Sequence, residues 1–165
     1  MPQEPKYLIR TSKMSRTDGY HLRHPMQEDA EVYWASLSQQ VGMERAHLNL
    51  VRIPPGKAAF PVHSHAIQEE FVFVLSGKGT ARIGNDDFPI GPGDYLGYPT
   101  DGTPHGLRNT GENDLICLMG GERTDTEVAT FPELGKVAIQ HDAGMTFHDI
   151  ADGEARKMSE WLAED

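Results

Sequence analysis

The chain has 165 residues, 38% of them hydrophobic and 24% charged, and its fifteen Lys plus Arg against twenty-five Asp plus Glu give a formal net charge of -10. That length fits one domain around one core, and so negative a surface argues against nucleic acid or anionic lipid as partners. A lone cysteine excludes an intramolecular disulfide. No stretch approaches the ~20 apolar residues of a membrane span or carries a signal-peptide pattern, so the expectation is a cytoplasmic protein.

The first 25 residues carry His21 and His24 in "GYHLRHP". Pro25 follows and no helical periodicity surrounds them, so they read as surface or capping histidines rather than ligands. Strands are expected near 30–37 and 46–53, the second containing Arg52.

The stretch "FPVHSHAIQEEFVFVLSG" at 60–77 holds His63 and His65. Eight histidines in such a chain give about 0.4 His-x-His pairs by chance, so the pair alone proves little. On a strand, however, residues i and i+2 project to one side, which would present both imidazoles together. Glu69 and Glu70 then fall on opposite faces, so one of them can join the histidines; strand phase alone leaves both open. If Glu70 points inward on a strand over 70–75, Val72 and Val74 follow it, and Phe71, Phe73 and Leu75 form an outer face that needs cover.

Further short strands are expected at 79–84, 87–90, 94–98, 105–109, 115–119 and 136–140. The turns between them use "GND" at 84–86, "GPGD" at 91–94 and "NTGEND" at 109–114, residues suited to positive φ or side-chain turn bonds. This rhythm is that of an antiparallel sandwich or barrel. His105 enters its strand from a Pro- and Gly-rich loop and is a plausible third nitrogen ligand; Tyr95, Tyr98 and Arg52 are candidates to line a cavity. Cys117, in "LICLMGG", suits a buried strand better than a reactive thiol. Ala155, Met158 and Leu162, with Trp161 beside them, have the spacing of a short C-terminal amphipathic helix.

These residues resemble the cupin superfamily. Its first motif appears as Gly56, six residues, His63-Ser64-His65, four residues, Glu70, six residues, Gly77, and the spacing to Gly77 selects Glu70 over Glu69. Its second appears as Gly93, five residues, Pro99-Thr100-Asp101-Gly102, two residues, His105, three residues, Asn109. Each carries one inserted residue, in a loop where length varies at little cost. "FPELGK" at 131–136 further resembles small, stand-alone bacterial cupins.

The resemblance implies an all-β fold, a double-stranded β-helix or jelly-roll barrel with a short C-terminal helix. Residues 1–45 would be an N-terminal extension packing on the barrel or a partner subunit, 46–120 the barrel, and 121–165 a C-terminal strand and helix completing the same domain. It implies one divalent transition metal per chain, held by His63, His65, Glu70 and His105. Three imidazoles and one carboxylate accept Fe, Mn, Ni, Cu or Zn and leave two positions of an octahedral ion open. The expected function is a metal-dependent enzyme on a small oxygen-chelating substrate, in the dioxygenase or the sugar or hydroxy-carbonyl isomerase class. The alternative is a non-catalytic barrel for a small, sugar-like ligand. A homodimer, sheet against sheet, would cover the outer apolar face.

Overall fold

A computed structural model of the protein describes residues 5–141 and 144–154. Among these residues thirteen strands and one short α-helix follow in chain order, with single 3-10 turns at Thr11–Lys13, Pro132–Leu134 and Ile150–Asp152: β1 (Tyr20–Arg23), β2 (Glu31–Ser36), α1 (Leu37–Gln40), β3 (Ala46–Ile53), β4 (Ser64–His65), β5 (Glu70–Ser76), β6 (Gly79–Ile83), β7 (Asp86–Ile90), β8 (Tyr95–Tyr98), β9 (His105–Asn109), β10 (Leu115–Glu122), β11 (Glu127–Phe131), β12 (Lys136–His141) and β13 (Gly144–Asp149). They form antiparallel sheets of order β1-β2-β3-β10-β5-β8, β13-β12-β11-β4 and β7-β6-β9. The expected all-β jelly-roll architecture is what the chain adopts. The expected C-terminal helix over Ala155, Met158, Trp161 and Leu162 lies outside the described residues.

Strand alternation dictates the core. Val51, Cys117 and Val74 are cross-strand neighbours on β3, β10 and β5 and all are fully buried, as the phase of Glu70 requires. They meet Ala81 of β6 and Leu107 of β9, so the inner face of the six-stranded sheet packs against the three-stranded one. Burial pushes the Cys117 thiol pKa up to about 12, which fits an inert core thiol. A smaller cluster of Ala129, Phe131 and Ala138 lies on the four-stranded sheet. On the outer face Phe73 and Leu75 remain 37% and 42% exposed, and Tyr95 beside them 65%.

The motif residues outside the ligand set do structural work. Gly77 has φ 91°, and a Cβ there would stand 2.5 Å from the carbonyl oxygen of Asp114, so only glycine lets the chain turn this close to β10. Asn109 is fully buried and staples the 109–114 turn: its Nδ2 donates to the carbonyls of Ile53 (2.7 Å) and Asn113 (2.8 Å), and its Oδ1 accepts from the Gly111 N–H (2.9 Å).

Four strands escape the sequence expectation: β1, β4, β11 and β13. β1 is exposed at every residue and β13 at nearly every one, so neither carries an alternating apolar pattern. β4 is only two residues long.

Candidate metal centre

The three sheets converge on the histidines. His63 and His105 exchange backbone hydrogen bonds in both directions, at 3.0 and 2.7 Å, which ties β9 to the chain entering β4. β4 then pairs with β11, and Glu70 opens β5 on the facing sheet. The result is that one ligand atom from each of His63, His65, Glu70 and His105 lies within 4.8 Å of the others. Glu69, the alternative by phase, is exposed and outside this group.

Each imidazole is set for ligation. The Nδ1–H of His63 donates to the carbonyl of Pro61 at 2.7 Å. A carbonyl can only accept, so the tautomer is fixed and the lone pair sits on Nε2. Both ring nitrogens of His65 and of His105 are buried without a hydrogen-bond partner. His65 Nε2 approaches Glu70 Oε2 to 3.2 Å, and His105 Nε2 lies 4.0 Å from the same oxygen. Buried polar atoms of this kind are costly unless something binds them, and three imidazoles facing one carboxylate are a donor set that suits a divalent transition ion. The residues therefore fit the metal that the sequence pattern implies.

The electrostatics agree. Burial, aided by His63, pushes the His105 pKa down to about 4, and burial with the neighbouring His65 also lowers that of His63. Burial works to raise the Glu70 pKa, but His65, His63 and His105 outweigh it and hold the carboxyl at about 2. His65 goes the other way: burial lowers it, yet Glu70 and Glu127 together lift it above its ordinary value. Glu70 and two of the three imidazoles are thus in their ligating, deprotonated form at neutral pH.

Glu127 is the residue that sequence reasoning missed. It opens β11, is only 3% exposed, and places Oε2 3.8 Å from His65 Nδ1. Its Oε1 accepts from the N–H groups of Ala66 (3.0 Å), Ile67 (3.2 Å) and Val128 (2.8 Å), and its Oε2 from that of Gln68 (2.6 Å). One carboxylate thereby shapes the turn that carries the chain from His65 to Glu70. A buried acid in an otherwise short β pattern was the available signal.

The cluster opens into a cavity of about 630 Å³. Trp34, Phe60, Met119, Phe131 and Phe147 give it largely apolar walls, and Tyr98 stacks on His105 with ring centroids 3.7 Å apart. Of the three candidates for lining, only Tyr98 does so. Tyr95 sits on the outer face, and the Arg52 guanidinium donates to the carbonyl of Met14 at 3.1 Å, outside the cavity wall. His21 is at the surface, stacked on Tyr33 and 2.8 Å from Glu31 Oε1. His24 accepts a hydrogen bond from the Met26 N–H, the expected capping role, and in addition lines the cavity beside Phe131 and Phe147.

Comparison with known proteins gives the same picture. The Cupin domain family profile matches residues 49–120. A crystal structure from Acidithiobacillus ferrooxidans, provisionally named a sugar phosphate isomerase, is 35% identical with a TM-score of 0.86, covering 92% of this chain and 97% of its own. A sugar phosphate isomerase of a cupin superfamily from Silicibacter pomeroyi is 27% identical with a TM-score of 0.71, covering 76% of this chain and 80% of its own. An oxalate-binding protein from Thermotoga maritima is 32% identical over 68 residues, 41% of this chain and 54% of that protein. The chain spans about half the length of the curated relatives it matches. No helix among the described residues is long and apolar enough to cross a membrane.

Proposed function

The chain belongs to the cupin superfamily, and from that premise we propose that it is a metal-dependent enzyme whose small substrate presents oxygen atoms to an ion held by His63, His65, Glu70 and His105. One observation carries this reading: four ligand atoms within 4.8 Å, three on imidazoles and one on the Glu70 carboxylate, with the buried ring nitrogens of His65 and His105 lacking hydrogen-bond partners, at a cavity of about 630 Å³. When bound, a divalent ion would supply Lewis acidity at a substrate oxygen or, if redox-active, a place for oxygen chemistry.

The protein's own groups divide the remaining tasks. Pro61 fixes the His63 tautomer, Glu127 holds the turn between the ligands, and Tyr98 packs the His105 ring in place. The aromatic walls displace water and orient the body of the substrate. Between the two enzyme classes expected, hydroxy-carbonyl isomerisation has specific support in the 35% identical Acidithiobacillus protein; oxygenation rests on the donor set alone. A second reading, a non-catalytic carrier of a small oxygen-rich ligand, draws on the Thermotoga maritima oxalate-binding relative. We further propose that the protein is a cytoplasmic homodimer, in which a second copy covers the exposed outer face of Phe73, Leu75 and Tyr95.

The test begins with elemental analysis of purified protein beside a His63→Ala, His105→Ala double variant. About one transition metal per chain, lost in the variant, supports the site. The loaded enzyme is then offered aldose and ketose substrates followed by NMR, and catechols and diketones followed by oxygen uptake. Turnover in either arm identifies the class; tight binding with none favours the carrier; a wild type that takes up no metal overturns the reading.

A further inference from the structure

The sequence shows no cluster of Lys or Arg beside the motifs, yet strand pairing builds a cationic corner. On the six-stranded sheet His47 of β3 pairs with Gly121 of β10, Gly121 with Glu70 of β5, and Glu70 with Tyr98 of β8. Residues in such a row project from the same face, so His47 shares the cavity face with the metal ligand Glu70. Neighbouring strands are about 4.8 Å apart, which sets the two Cα atoms about 10 Å from each other.

Gly121, between them, leaves the path open. A Cβ there would lie 2.9 Å from His47 Nε2, so the imidazole reaches across the space that a side chain would fill. That Nε2 is buried and has no hydrogen-bond partner. One residue past the end of β10, the ladder continues: the Arg123 N–H donates to the carbonyl of Arg45 at 3.0 Å. Alternation returns Arg45 and Arg123 to the face of His47, and both His47 and Arg123 line the cavity.

Among the described residues neither Arg45 nor Arg123 forms an ion pair, whereas Arg16, Arg23, Arg82 and Arg108 each have a carboxylate partner. Glu122, also at the cavity, accepts from the Glu69 N–H at 3.3 Å. Two guanidinium groups left free of carboxylates beside an unpartnered imidazole, on a chain of net charge -10, mark this corner as built for an anion.

We propose that His47 and Arg123, with Arg45 adding to the field, form an anion subsite at the cavity mouth. It takes the carboxylate or phosphate group of a substrate whose other oxygens sit at the four-ligand cluster. This rests on the metal-enzyme reading above and narrows its substrate to an oxygen chelator with a second, anionic end.

Matched probes test it by calorimetry on metal-loaded protein: malate against lactate, and dihydroxyacetone phosphate against dihydroxyacetone. Each pair keeps the chelating end and differs by one anionic group. In at least one pair the member with the additional anionic group should bind about tenfold more tightly, the size of one charge-assisted hydrogen bond. His47→Ala and Arg123→Ala should each erase most of that ratio while metal content and the affinity for lactate and dihydroxyacetone stay within twofold; His47→Gln, which keeps a polar side chain, should retain part of it. An advantage for malate alone assigns the subsite to carboxylates, and one for the phosphate alone to phosphate esters. Ratios near one in both pairs, or ratios that both alanine variants leave intact, overturn the subsite while leaving the metal centre standing. Failure of the wild type to take up metal would instead overturn the enzyme reading, and the subsite with it.

Discussion

Replacing Glu127 by Gln removes one charge and turns one acceptor into a donor at a position with no solvent to absorb the change. In the native protein both carboxylate oxygens accept, three N–H groups at Oε1 and that of Gln68 at Oε2, 2.6 Å away. A glutamine can keep its oxygen toward the three N–H groups only by setting its NH₂ against the Gln68 N–H, donor to donor. Hydrogen bonds to a charged group contribute about 1.5–3 kcal/mol, and a buried donor left unmade costs about 1–3 kcal/mol. The expected loss is about 2–4 kcal/mol after partial relaxation, which in a chain of this size lowers the melting temperature by roughly 4–16 °C. Because the disturbed turn joins His65 to Glu70, metal affinity should fall as well, by about tenfold or more, as for other groups that orient a ligand. Thermal unfolding of the metal-free protein and a metal titration of the folded variant read the two effects separately. Melting within 1 °C of wild type together with unchanged metal affinity would refute the role given to Glu127.

Metal uptake should depend on pH with a defined sign. His65 is held above its ordinary pKa, so below that value the ion must displace one proton; affinity should fall about tenfold per unit as pH drops there and more steeply near 4, where His105 also protonates. A flat dissociation constant between pH 5 and 8 would refute this. Gly121→Ala should destabilise the fold by about 1–3 kcal/mol through overpacking, because its Cβ would meet the carbonyl oxygen of Glu69 closer than any contact allows; chemical denaturation measures it, and a neutral result would mean that β5 and β10 move apart freely. If the proposed homodimer forms, Leu75→Glu on the exposed outer face should leave a monomer in light scattering at micromolar concentration, and a wild type already monomeric there would remove the proposed interface.

Alternation and spacing made much of the centre legible. His63 and His65 stand two apart on an extended segment, a local relation that the backbone alone enforces; strand phase left Glu69 and Glu70 both open, and it was the resemblance to the cupin motif, through the distance to Gly77, that chose Glu70. The buried phase of Val72 and Val74 followed from the same period. β11 was illegible for the opposite reason: its inward positions are Glu127, Ala129 and Phe131, and a carboxylate at the first of them breaks the pattern that marks a buried strand. β1 and β13 bury nothing that a period could reveal.

What tertiary structure alone decided is which distant segments meet. His47, Glu70 and Arg123 share one cavity face only because β3, β10 and β5 pair in a particular register, and a shift of one residue would turn each of them outward. The sequence by itself determined local relations only: His63 and His65 project to one side of an extended segment, and Glu69 and Glu70 to opposite faces, whereas the approach of His105 to them is a long-range bridge. The walls, Glu127 and the cationic mouth depend on non-local pairing, and no window along the chain contains that information.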